Sequence, residues 1–60
     1  MSYFERVLAA EGMVYEGEKE NGKRHGKGKI TYLNGSVYDG EWENDMRHGF
    51  GTETHDGKVI

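Results

Sequence analysis

Cysteine is absent from this 60-residue chain, and tryptophan occurs once. Without cysteine there is no disulfide and no thiolate-held metal to support a small fold, and the chain suits a reducing compartment. Long apolar runs are also missing. None reaches the length that spans a bilayer, and Met1–Gly12 carries Glu5, Arg6 and Glu11 where a signal peptide would have an apolar centre and a cleavage site. These absences lead to the expectation of a soluble, intracellular, cytoplasmic protein. A chain this short forms one domain and buries only roughly 60% of the surface it exposes when unfolded, so a partner is a natural source of further support.

The formal net charge of −3 conceals an uneven distribution. Met1–Gly12 has Arg6 against Glu5 and Glu11, which gives −1. Met13–Ser36 has Lys19, Lys23, Arg24, Lys27 and Lys29 against Glu16, Glu18 and Glu20, which gives +2. Val37–Ile60 has Arg47 and Lys58 against Asp39, Glu41, Glu43, Asp45, Glu53 and Asp56, which gives −4. Polarity of this kind suits a charged partner or self-association. It does not suit a nucleic-acid binder, which is normally basic overall.

What the chain does have is an internal repeat. A shift of 23 residues lays Met13–Gly28 on Ser36–Gly51. Val14, Tyr15, Gly17, Glu18, Glu20, Asn21, Arg24, His25, Gly26 and Gly28 then recur as Val37, Tyr38, Gly40, Glu41, Glu43, Asn44, Arg47, His48, Gly49 and Gly51. These are ten matches in sixteen positions, where ordinary composition gives about one. "GMVY", "GSVY" and "GKVI" mark the same point in successive units. The expected divisions are 1–12, a capping or docking segment; 13–35 and 36–57, the two units; and 58–60, the start of an incomplete third strand.

Each unit reads as a β-hairpin. Val14–Glu20 alternates up to Asn21-Gly22, a pair suited to a type I′ turn, and His25–Tyr32 returns. Val37–Glu43 and Arg47–Thr54 repeat this around Asn44-Asp45. The fold expected is an all-β antiparallel meander of four strands. Alternation places Tyr15, Gly17, Gly26, Gly28, Ile30, Tyr32, Tyr38, Gly40, Trp42, Gly49 and Gly51 on one face. Glycine weakens a strand unless something approaches its bare backbone, so these glycines read as platforms for the aromatic rings. The opposite face carries Glu16, Glu18, Glu20, Lys27, Lys29, Thr31, Asp39, Glu41, Glu43 and Thr52.

The N-terminal segment reads differently. "SYFE" has capping-box form, with Tyr3, Phe4, Val7 and Leu8 as an apolar stripe and Gly12 as a stop. A helix from about Tyr3 to Ala10 is the expectation, though one so short needs a surface to dock on.

The units "VYEGEKENGKRHGKGKITYLNG" and "VYDGEWENDMRHGFGTETHDG" resemble MORN repeats (membrane occupation and recognition nexus). The shared pattern is Tyr-x-Gly, an aromatic two residues on, a turn, His-Gly-x-Gly and a closing Asp/Asn-Gly, across Gly12–Gly57. Lys19 departs from it where the second unit has Trp42, and Asp45 departs where the first has Gly22. The resemblance implies stacked hairpins that hold partners together in cytoskeletal, ciliary or membrane-peripheral assemblies, without catalysis or a cofactor. It also admits a phosphoinositide-binding module, or an accessory fragment of an enzyme whose catalytic domain lies elsewhere.

Candidate sites follow from what these readings leave over. Tyr3, Phe4, Val7, Leu8, Phe50, Val59 and Ile60 are candidates for protein contact, since Phe50 falls on the polar face and Val59 and Ile60 on an open edge. Lys23, Arg24, Lys27 and Lys29 are candidates for anionic lipid headgroups. The competing reading pairs these cations across strands with Glu16, Glu18 and Glu20. His25, His48 and His55 lack metal spacing and a matching nucleophile, and they read as strand-start residues bonding turn carbonyls. "GKGK" at Gly26–Lys29 lacks the spacing and the following helix of a phosphate loop.

Overall fold

The computed structural model describes residues 2–8 and 12–60. They form a single open sheet of six strands in sequence order, every neighbour antiparallel. The strands are β1 (Ser2–Leu8), β2 (Val14–Glu20), β3 (Lys23–Thr31), β4 (Val37–Glu43), β5 (Met46–His55) and β6 (Lys58–Val59). The all-β antiparallel meander is therefore present. β2 to β5 are the four strands expected, β6 falls where a further strand is expected to begin, and β1 is the addition.

The turns explain the order. Asn21-Gly22, Asn44-Asp45 and Asp56-Gly57 all hold positive φ at both positions, from 51° to 78°. That is the backbone of a type I′ turn, whose twist matches that of the flanking strands. The β3–β4 connection closes through Tyr32 N–H to Ser36 O at 2.8 Å and Ser36 N–H to the Asn34 Oδ1 at 2.9 Å.

The N-terminal helix is not there; Ser2–Leu8 is a strand paired with all of β2, Ser2 opposite Glu20 and Leu8 opposite Val14. A helix of about two turns gains little by itself, whereas seven residues on the edge of β2 satisfy a row of open backbone groups. Tyr3, Phe4 and Val7 also favour a pleated surface over a helix. The apolar stripe consequently splits. Tyr3 and Val7 share the face of Tyr15, while Phe4 and Leu8 point the other way. The remainder of the expected helix, at Ala9 and Ala10, lies outside the described residues.

The core occupies one face. Tyr15 and Ile30 are wholly buried, Tyr38 and Trp42 nearly so, with Val7, Met13 and Tyr32 packed around them. Trp42 meets Tyr15 edge-on at 5.8 Å and Tyr38 at 5.2 Å, the favoured T-shaped geometry. Across the opposite face runs a second row, formed by Leu8, Val14, Thr31, Val37, Thr54 and Val59, one residue from each strand.

Candidate functional site

The joint between the two units is the most elaborated part of the molecule. Trp42 of the second unit leans over the first and donates its indole N–H to the carbonyl of Gly28 at 3.0 Å. Arg24 of the first unit lies over the Trp42 ring, its guanidinium 4.6 Å from the centroid. Asp45 completes the contact. Its carboxylate accepts from the Arg24 N–H at 2.8 Å and from Nε at 3.1 Å, and its own N–H donates to the Arg24 carbonyl at 3.1 Å. The hydrogen bond from the Arg24 backbone is the main cause that holds the Asp45 carboxyl below its usual range. The residue that departs from the Asn-Gly turn of the first unit is thus the one that ties the units together.

Glycines serve two different ends. Tyr15 crosses Gly28 and donates its hydroxyl to the Glu18 carbonyl at 2.6 Å; Tyr38 crosses Gly51 and donates to the Glu41 carbonyl at 3.3 Å. Burial raises the Tyr15 phenol above its ordinary pKa of 10.0, with nearby Arg24 acting against the rise. Gly17 and Gly40 lie beside Gly28 and Gly51 on neighbouring strands. Gly26 and Gly49 are not platforms, contrary to the alternation argument. Their φ angles are 71° and 64°, and a side chain there would meet the carboxylates of Glu18 and Glu41.

Those carboxylates are what sequence reasoning missed. In the first hairpin Gly17 is opposite Gly28 while Lys19 is opposite Arg24, so Glu18 alone faces His25, Gly26 and Lys27. The second hairpin repeats this, with Glu41 facing His48, Gly49 and Phe50. Glu18 accepts from the Lys27 N–H at 2.7 Å and Glu41 from the Phe50 N–H at 3.4 Å, each satisfying a donor that the bulge takes out of the ladder. The signal was present, since Glu18 and Glu41 are a matched pair in the repeat.

Alternation along β3 divides the basic cluster. Lys23, Lys27 and Lys29 point to the polar face, whereas Arg24 points to the aromatic one. Lys29 lies between Glu16 and Asp39, Lys23 opposite Glu20, and Lys27 opposite Glu41. Lys19, at the position that holds Trp42 in the second unit, pairs instead with Glu5 at 3.4 Å. Arg47, the counterpart of Arg24, lies over Tyr38 at 4.1 Å and bonds Glu53 and the Tyr32 hydroxyl.

Of the contact candidates, Phe50 is 86% exposed, Val59 74%, Leu8 74%, Ile60 70% and Phe4 69%. Tyr3 is less so, and Val7 is half-buried against the core. A groove of ≈ 450 Å³ is lined by Met13, Tyr32, Leu33, Asn34, Ser36 and Glu53.

The histidines do not bond turn carbonyls. His48 faces the Glu43 carboxylate at 3.8 Å, and His55 Nδ1 is 3.0 Å from Ser36 Oγ. Ser36, His55 and Asp56 together supply a hydroxyl, an imidazole and a carboxylate. The hydroxyl residue is buried in a loop and the Asp56 side chain stands in solvent, so the arrangement pins the β3–β4 loop to β5 and orients no nucleophile. No metal-holding cluster occurs among the described residues, and no described helix is long and apolar enough to cross a membrane.

A family model described as MORN repeat matches twice in succession, over residues 15–37 and 38–58. No curated protein matched the chain.

Proposed function

The chain belongs to the MORN repeat family, and from that premise we propose that it is a non-enzymatic protein-interaction module, a small structural subunit of a larger intracellular assembly of cytoskeletal, ciliary or membrane-associated type. Repeats of this family are generally non-catalytic. The observation that carries the reading is the disposition of unburied apolar side chains. Phe4 and Leu8 on β1, and Met46, Phe50 and Val59 on β5 and β6, flank a charged centre on one face of a single-layered sheet. Flanking apolar groups around a charged middle suit a protein surface, which supplies apolar contact and directional charge together.

The lipid-headgroup reading has less support. Only Lys23, Lys27 and Lys29 share a face, and each stands opposite a carboxylate-bearing residue on a neighbouring strand. The reading that makes the chain an accessory piece of an enzyme shares the same surfaces and differs in what is attached to them.

Cross-linking of the tagged chain in cells, with mass-spectrometric mapping, tests the proposal. The expected result is a stoichiometric protein partner cross-linked near Phe4 or Phe50 and lost from the Phe4→Glu, Phe50→Glu double variant, whose circular dichroism stays unchanged. Retention on phosphoinositide vesicles that is abolished by Lys23, Lys27 and Lys29→Glu, with no protein partner, would overturn it.

A further inference from the structure

The chain has three asparagines, and each stands in a turn: Asn21-Gly22, Asn34-Gly35 and Asn44-Asp45. The first two pairs are alike in sequence and both are exposed, yet the backbone holds them differently. The Gly35 N–H donates to the Tyr32 carbonyl at 3.0 Å, and the Asn34 Oδ1 accepts from the Ser36 N–H at 2.9 Å. The Asp45 N–H likewise donates to the Arg24 carbonyl at 3.1 Å. Among the described residues the Gly22 N–H donates to no backbone carbonyl, and the space beside Gly22 is open.

These differences bear on a reaction that needs only water. The backbone nitrogen that follows an asparagine, once it has lost its proton, attacks the side-chain carbonyl. The new C–N bond closes a succinimide, and the side-chain nitrogen leaves as ammonia with a proton. Water then opens the ring. Cleavage at the former side-chain carbonyl gives aspartate, and cleavage at the main-chain carbonyl gives isoaspartate, whose chain runs on through the side-chain carbon. One amide and one water become one carboxylate and one ammonia, with no change of oxidation state. A hydrogen bond from the attacking N–H opposes the first step, and a side chain on the following residue crowds it. Asp56-Gly57 is also an open turn, but a carboxylate is a poor electrophile.

We propose that Asn21-Gly22 is a site of spontaneous modification, at which Asn21 becomes isoaspartate and aspartate, and that the product loosens the joint between the two units. The path is short. Asn21 and Gly22 hold φ of 53° and 77°, the turn that keeps Glu20 opposite Lys23 and Lys19 opposite Arg24. A main chain lengthened by the extra carbon does not reproduce that turn, so pairing fails first beside it. Arg24 is the residue that binds Asp45 and lies over Trp42.

The ¹⁵N-labelled full chain, held at mildly alkaline pH and sampled over days, tests this by peptide mapping with electron-transfer fragmentation. The Asn21 peptide is expected to exchange NH for O, isoaspartate exceeding aspartate. It should do so at least about tenfold faster than the Asn34 peptide, whose two hydrogen bonds must open first. The Arg24 amide and Trp42 indole signals should shift at the same rate. In Asn21→Gly, which keeps a residue suited to positive φ, they should stay fixed. In urea the rates at Asn21 and Asn34 should converge. Conversion at Asn34 as fast as at Asn21 in the folded chain would overturn the site, as would a difference that persists in urea. Conversion at Asn21 with the Trp42 indole unmoved would overturn the effect on the joint.

Discussion

A single methyl group tests the contact between Tyr15 and Gly28. Adding one at Gly28 would drive it into the Tyr15 ring and hydroxyl, and Tyr15 has no exposed surface into which to move. Gly51 meets Tyr38 in the same way, but Gly51 is itself exposed on the outer strand β5, and Tyr38 keeps a 6% exposed margin where Tyr15 has none. Gly28→Ala is expected to cost about 3 kcal/mol and Gly51→Ala about 1 kcal/mol, the span of overpacking penalties. Urea denaturation of the two variants measures both, and an equal or stabilising effect would refute the platform argument. Asp45 carries a second prediction, in pH. Its carboxyl is depressed in the folded state, so its contribution is complete above the unfolded carboxyl pKa and is lost as pH falls through the lower folded value. The side chain is half exposed, which limits the contribution to below about 1 kcal/mol. Thermal melts should therefore fall more steeply below about pH 4 in the parent than in Asp45→Asn. Identical slopes would detach Asp45 from the joint.

At the scale of the element, legibility depended on whether a pattern was repeated. The hairpins were readable because two copies of the alternation ended in turn pairs with the right φ preference. The β1 strand was not, because "SYFE" satisfies a capping box locally while the competing gain, pairing with β2, lies some fifteen residues away in sequence. The bulge was hidden for a related reason. It adds two residues to β3, which keeps Arg24 on the aromatic face where alternation puts it but sets three β3 residues opposite Glu18. That carboxylate then bonds a backbone amide instead of facing the lysine side chains across the strands. The strand assignment of β1 has a direct test in a pair of neighbouring substitutions. Val7 packs on the core and Leu8 faces outward. Val7→Asp should destabilise by about 2 kcal/mol and Leu8→Asp by less than about 0.5 kcal/mol, as a buried charge and a surface change respectively do. A helix would place both on one stripe, so similar losses from the two changes would restore the helix.

The whole molecule is thin, 34 × 24 × 15 Å, and its thinness sets its behaviour in solution. The described residues bury Tyr15, Ile30, Tyr38 and Trp42, while Tyr3, Phe4, Leu8, Leu33, Met46, Phe50, Val59 and Ile60 stay exposed. A sheet covered on neither side gains from a second layer or a further strand. Each large side chain taken fully out of water contributes roughly 1.5–3 kcal/mol, so covering four of them gives about 6–12 kcal/mol before association costs of about 4–15 kcal/mol. At its most favourable this balance is about 8 kcal/mol, which sets micromolar as the strongest self-association to expect. Charge sets its direction, since the +2 segment Met13–Ser36 and the −4 segment Val37–Ile60 favour contact of one copy's first unit with another's second. A head-to-tail contact of this kind is heterologous, so the species should extend past the dimer as a ring or a filament. Sedimentation at tens of micromolar is expected to show a mass average that rises with concentration and falls when salt is raised to about 0.5 M. The melting temperature should climb with concentration over the same range, because association draws on the folded chain alone. A monomer whose cooperative melt is the same at every concentration would show that six strands and four buried side chains suffice alone, and self-association would have to be abandoned.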